Sequence, residues 1–215
     1  MVNKKAELVR REEIASSISH GIATGLAIAG TTLLVTLASI YGNTWHIVSY
    51  SVFGACMIFV YLSSTLFHSA KRKRPKFKLN KLDHSAIFIM IAGSYTPLSL
   101  TSLRGWVGWT LFGLIWTLAA IGVIYKVWFY ASKWNKLITW LYVIMGWIVI
   151  IAIVPIVRTV PPKSLIFLIS GCIIYTAGVI FYLKPKKPYF HLIFHIFIMT
   201  GSICHFFSFL YLLPR

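Results

Sequence analysis

Imidazoles placed one helical turn apart are the first feature of this sequence that could do chemistry. In His191-Leu-Ile-Phe-His195 the i, i+4 spacing puts both rings on one face of a helix, about 6 Å apart. His68, closing the stretch Ser64-Thr-Leu-Phe-His68, offers a third neutral nitrogen. Three such donors suit zinc, at roughly 2.0–2.1 Å per Zn–N bond, and leave a fourth place for water. An ion held that way lowers the pKa of the water towards about 7. Asp83, the only aspartate in the chain, can hold that water or take its proton. Ser64 lies one turn before His68 and can donate a hydrogen bond to a bound carbonyl or its oxyanion. Each residue alone has a plainer explanation. An HxxxH pair is a weak signal, a histidine at a membrane interface is often an amphipathic anchor, and a serine in an apolar helix commonly bonds the i−4 carbonyl. The set gains weight only if one architecture brings its members to one level.

The composition says which architecture that is. Of 215 residues, 58% are hydrophobic and 16% aromatic, only 12% are charged, and the mean hydropathy is +0.79. A water-soluble domain carries about a quarter Asp, Glu, Lys and Arg, so a soluble globular fold is excluded. The acids are Glu7, Glu12, Glu13 and Asp83, against 21 Lys and Arg, for a net charge of +17. A nucleic-acid partner would need those bases as a stripe on a water-facing element. Here they fall in short clusters between long uncharged runs, so no nucleic-acid partner is expected. The partners expected are membrane lipids, as substrate or ligand.

Seven runs are long enough to span the roughly 30 Å of hydrocarbon that about 20 helical residues cross. They are Ile18 to Ile40, His46 to His68, His84 to Leu103, Trp106 to Tyr125, Leu137 to Val157, Ser164 to Leu183 and Phe190 to Leu213. None holds an Asp, Glu, Lys or Arg in its interior, and barrel strands would be about ten residues of alternating polarity. The reading is an all-α integral membrane bundle of seven transmembrane helices, residues 18–215, after a short cytosolic segment, residues 1–17. The first run is longer than the roughly 7–15 residues of a signal-peptide core and follows a charged, acid-containing segment, so it reads as a retained span. Cys56, Cys172 and Cys204 lie singly in three spans and read as small packing residues. No internal repeat supports an inverted-repeat transporter.

Cytoplasmic loops of a plasma-membrane protein keep Lys and Arg. With the N-terminus inside, the inner segments hold Lys4, Lys5, Arg10 and Arg11, then seven bases from Lys71 to Lys81, then Lys126, Lys133 and Lys136, then Lys184, Lys186 and Lys187. The outer ones hold Arg104, Arg158, Lys163 and Arg215. Seventeen against four places the N-terminus in the cytosol and the C-terminus outside. Span 2 then ends at His68, span 3 begins beside Asp83 and His84, and span 7 begins with His191 and His195, all at the cytosolic level. His46 falls at the outer end of span 2. His205, ten residues past His195, lies about 15 Å deeper and suits a helix–helix contact rather than the same ion. His20 and His84 are open between supporting contacts to the site and plain interfacial placement. Pro97, with Gly93 nearby, favours a kink in span 3.

Ser64-Thr-Leu-Phe-His68, Asp83-His-Ser-Ala-Ile with Ala92-Gly-Ser-Tyr-Thr-Pro97, His191-Leu-Ile-Phe-His195 and the N-terminal Glu13 to Gly21 segment resemble the hemolysin III family over essentially the whole chain. That family is similar to the adiponectin and progestin receptors and, more distantly, to alkaline ceramidases. The resemblance implies a cytosolic-side zinc held by His68, His191 and His195, Asp83 reaching it through water, and Ser64 nearby. It also implies a link to membrane lipid composition or fluidity and hydrolysis of lipid amides. The large soluble N-terminal domain of the adiponectin receptors has no counterpart in the 17 residues before span 1, so no expectation of hormone binding follows.

The leading functional expectation is a zinc-dependent hydrolase acting on an amide or ester bond of a lipid that enters sideways from the bilayer. The second is a non-catalytic sensor or receptor-like regulator in which zinc clamps spans 2, 3 and 7. A pore-forming hemolysin ranks last, because a lytic pore calls for a soluble secreted form or amphipathic spans. The charge bias makes its own prediction: a reporter that is active only in the cytosol stays silent when fused after Arg215 and is active when fused at the N-terminus.

Overall fold

Hydrocarbon offers a backbone no hydrogen-bond partner, so a chain crossing it must satisfy its amides within each segment. In the computed structural model, which describes residues 4–129, 135–184 and 187–214, the regular structure is all helical. The helices are α1 (Lys4–Tyr41), α2 (Thr44–Ser69), α3 (Lys73–Leu100), α4 (Trp106–Trp128), α5 (Asn135–Trp147), α6 (Ile153–Thr159), α7 (Pro162–Tyr182) and α8 (Phe190–Leu212). A 3₁₀ turn, Ile148–Ala152, joins α5 to α6, so the two form one crossing. Lys133, Lys186 and Arg215, counted in the charge balance, lie outside the described residues, as do the side chains of Lys5 and Lys136.

Six crossings among the described residues are long and apolar enough to span a membrane: α1, α2, α4, α5 with α6, α7 and α8. The seventh helix, α3, is not, and it begins eleven residues ahead of the expected His84. Its first turns carry Lys73, Arg74, Lys76, Lys78, Lys81 and Asp83. Farther along it carries Ser85, Thr96 and Ser99, all buried. The reason is position. α3 packs against α2, α4, α5 and α8, while α1 closes the bundle between α2 and α8 and α7 lies along α8. A helix enclosed by other helices meets protein instead of lipid, and its polar side chains find partners there.

Small residues let these helices approach closely. A Cβ on Gly54 would collide with the Thr31 side chain, and one on Gly93 would stand 2.7 Å from Cys56 Sγ. Gly93 therefore serves the α2–α3 contact, and α3 stays helical through Pro97 to Leu100. All three cysteines are free. At the start of α2, Asn43 Oδ1 accepts from the Trp45 and His46 amides, and His46 Nδ1 faces the Asn43 amide at 3.4 Å. His46 is thus part of a helix cap.

The break in the fifth crossing has a specific remedy. Pro155 removes one amide and crowds the carbonyl four residues back, and the backbone before it tightens into the 3₁₀ turn. Tyr95 of α3 fills the gap: its hydroxyl donates to the Met145 carbonyl at 2.7 Å, with that of Gly146 at 3.0 Å, and accepts from the Val149 amide at 2.9 Å. Removing that hydroxyl strands backbone groups in a buried place, at about 1–3 kcal/mol. Tyr95→Phe is expected to lower the thermal unfolding midpoint of the detergent-purified protein while leaving its helix content by circular dichroism unchanged.

Candidate metal centre

His68 lies in the last turn of α2 and is buried, on a helix that ends at Ser69. His191 and His195 occupy the first turns of α8. That helix starts at a sharp reversal, with Tyr189 in the left-handed region at φ 59°, the only non-glycine residue with positive φ among the described residues. Such a conformation costs a non-glycine residue about 1–2 kcal/mol, and here it turns α8 so that its first imidazoles face α2. One ligand atom from each of His68, His191 and His195 lies within 4.8 Å of the others. The Nε2 atoms of His68 and His191 are 3.3 Å apart, and the ring centroids of His191 and His195 are 4.4 Å apart.

This donor set fits a metal. Two nitrogens, each about 2.05 Å from a tetrahedral ion, stand about 3.3 Å from one another, which is the separation of the two Nε2 atoms. His195 Nδ1 is buried and has no hydrogen-bond partner, so the cluster holds an unsatisfied nitrogen of the kind a cation would engage. Among the described residues, the group of histidine, cysteine and carboxylate side chains that meets in this way is those three histidines.

Around the cluster stand residues that spacing did not point to. Glu13 Oε2 accepts from His68 Nδ1 at 3.1 Å and from Lys76 Nζ at 2.6 Å. That contact leaves the Nε2 lone pair of His68 directed away from the carboxylate, the arrangement in which a carboxylate orients a ligating imidazole. Glu12 Oε1 accepts from the backbone amide of His191 at 3.2 Å. Both acids belong to the first turns of α1, which run without a break into the membrane-crossing part of the helix. The available signal was composition: two of only four acids sit side by side in an otherwise basic segment.

Asp83 is not one of the three clustered ligands. Its carboxylate, at a half-buried position, lies against the Ser64 hydroxyl, and Lys126 of α4, only 1% exposed, brings a positive charge towards it. His84 is held firmly. Its Nδ1 donates to the Asn80 carbonyl at 2.8 Å, its Nε2 accepts from the Tyr182 hydroxyl at 3.1 Å, and Asp83 Oδ2 is 3.9 Å away. His20 is buried with its ring centroid 4.0 Å from that of His195. His205 lies apart from the cluster, packed across α7 with Nε2 3.9 Å from Cys172 Sγ. Ser64, Asp83, His84, His191 and His195 all line one cavity of about 160 Å³, which extends between α3, α5, α7 and α8 to His205. Its walls away from the cluster are mainly apolar, among them Ile87, Leu98, Val143, Leu168 and Ile198.

A helical bundle with a buried three-histidine cluster opening on an apolar cavity defines a multi-pass membrane protein with a candidate metal site. The chain belongs to the Haemolysin-III related family, whose model matches residues 9–206. It is 42% identical over 201 residues to the "Hemolysin-3 homolog" of Bacillus subtilis (strain 168), covering 94% of each chain. It is also 42% identical to "Hemolysin-3" of Bacillus cereus, over 95% of this chain and 93% of that one. The human "Monocyte to macrophage differentiation factor" is 28% identical over 92% of this chain and 82% of its own. The membership expected from the motifs is therefore correct.

The contact between Glu13 and His68 makes a prediction of its own. Glu13→Gln keeps the shape and removes the charge, and it is expected to weaken metal binding by about 10–100-fold. His46→Ala, at the opposite end of α2, is expected to leave metal content unchanged. Metal quantitation after dialysis against graded chelator compares the two.

Proposed function

We propose that this protein is a zinc-dependent hydrolase of an amide or ester bond in a membrane lipid. Its site lies near the cytosolic leaflet of the plasma membrane, and its role is the maintenance of membrane lipid composition or fluidity. The observation that carries the reading is the cavity: a largely apolar space in the bundle lined at one end by His191 and His195 of the cluster, with His84, Asp83 and Ser64 beside them. A soft, borderline cation is matched by imidazole nitrogens, and three of them leave room for a reacting group. Zinc held by His68, His191 and His195 would supply Lewis acidity and lower the pKa of a water to about 7.

The chain's own side chains divide the remaining work. Asp83 accepts the proton that the attacking water gives up and returns it to the departing amine or alkoxide as the acyl C–N or C–O bond breaks. Ser64, whose hydroxyl rests against Asp83 in the free protein, turns its proton to the oxyanion. Glu13 holds His68 in one orientation, and the apolar walls take the acyl chain and exclude bulk water. Lys126 of α4 is buried and brings a positive charge towards Asp83.

One observation favours a second reading. Glu13 joins α1 to His68 of α2 and Lys76 of α3, and His68 meets two histidines of α8, so the same groups would form a clamp in a non-catalytic regulator. Asp83→Asn separates the two. For a hydrolase the expected protein is folded and metal-loaded, with a lipid phenotype like that of a deletion strain and activity reduced by about 10²–10⁴. Full complementation of the deletion by a metal-loaded Asp83→Asn protein would sink the catalytic reading and leave the clamp.

A further inference from the structure

His20 has no task in the chemistry above, yet it stands where that chemistry would happen. It is 4% exposed, it lines the cavity, and its ring is tilted against His195. Among the described residues, neither of its ring nitrogens finds a hydrogen-bond partner. Three nearby histidines differ in this respect, His68 being bonded to Glu13, His84 to Asn80 and Tyr182, and His191 to His68, while the bare Nδ1 of His195 belongs to the candidate metal cluster. Tyr61 meets His20 through its ring alone, at 90° and 5.4 Å between centroids, because the Tyr61 hydroxyl is engaged with Ser202 at 2.5 Å. A buried N–H and a buried lone pair left bare are each costly, and buried polar groups in native proteins are with few exceptions paired. No described residue supplies a partner for either nitrogen of His20, and the cavity is the route by which one can arrive.

The chemistry of the ring defines that partner. A neutral imidazole has one donor nitrogen and one acceptor nitrogen, and they point in diverging directions. A ligand satisfying both must bring an acceptor and a donor. An ester or ketone head brings acceptors only, whereas a secondary amide brings a carbonyl oxygen and an N–H. We propose that His20 is a specificity-determining residue that reads a hydrogen-bond donor in the lipid head, so that the cavity selects donor-bearing, amide-type heads over acceptor-only heads of the same shape. This deepens the hydrolase reading and rests on it for the lipid nature of the ligand.

Two probes differing at one group test the idea: the N-methyl amide of palmitic acid, and the matching ethyl ketone in which CH2 replaces N–H. Binding of each to zinc-loaded, detergent-purified protein is followed by tryptophan fluorescence and calorimetry. The wild-type protein is expected to bind the amide about tenfold or more tightly than the ketone. His20→Phe is expected to keep its zinc, lose that preference and hold the ketone within about twofold of wild type, while His20→Asn, which retains a donor and an acceptor, recovers part of the preference. Should His20→Phe fail to fold, His20→Leu carries the same comparison. A wild-type protein that binds both probes equally overturns the assignment, and so does a His20→Phe protein that keeps the preference or loses its zinc. A wild-type protein that binds neither probe overturns the lipid reading itself, and this inference with it.

Discussion

Hydrocarbon cannot solvate a polar group, and the bundle is arranged around the helix that would suffer most from that. α3 carries a basic first half, an aspartate, a histidine and a series of hydroxyls, and by apolarity it is the weakest membrane span of the molecule. Enclosed by α2, α4, α5 and α8, it turns those groups from a cost into connections. Tyr95 repairs the broken backbone of the fifth crossing, Thr96 accepts from the Trp116 indole, and His84 reaches Tyr182 of α7. The apolar helices around it face lipid with exposed Ile, Leu and Val, as the chain's composition requires.

The same constraint concentrates chemistry at one end. Imidazoles are neutral at ordinary pH and can be gathered in a poorly solvated place at modest cost, which carboxylates and ammonium groups cannot. The cluster accordingly contains histidines at its centre, while the charges near it come in compensating company: Glu13 with Lys76, Asp83 with Ser64 and Lys126. The cavity inherits this polarity gradient, polar at the histidines and apolar along α5 and α7, which is the profile of an amphiphile lying head-first at the cluster.

Much of this was legible in the residues. The i, i+4 pair His191 and His195 and the matching end of α2 at His68 do meet, because helical periodicity fixes which face a side chain takes. Apart from the starts of α1 and α3, run boundaries held to a few residues, as for Trp106 to Tyr125 against α4 at Trp106–Trp128. The start of α3 was hidden, since a hydropathy sum counts side chains without regard to the neighbours they face. Glu13 and Lys76 were hidden for another reason: 55 residues separate Glu13 from His68 and 63 separate it from Lys76, and no local pattern specifies pairings at that range. Tyr182, 98 residues from His84, is the same case.

Glu13 carries one more consequence, which concerns thermodynamic linkage. A single carboxylate oxygen serves both His68 and Lys76, and the helix that carries it reaches back to Lys4. Whatever stabilises His68 in its present orientation also anchors the first turns of α1, and by reciprocity whatever pulls those turns away loosens His68 by the same free energy. Fraying of a helix end is the lowest-lying opening a folded chain possesses. Here that opening is wired to the three-histidine cluster, so the N-terminal turns and the candidate metal site share one equilibrium.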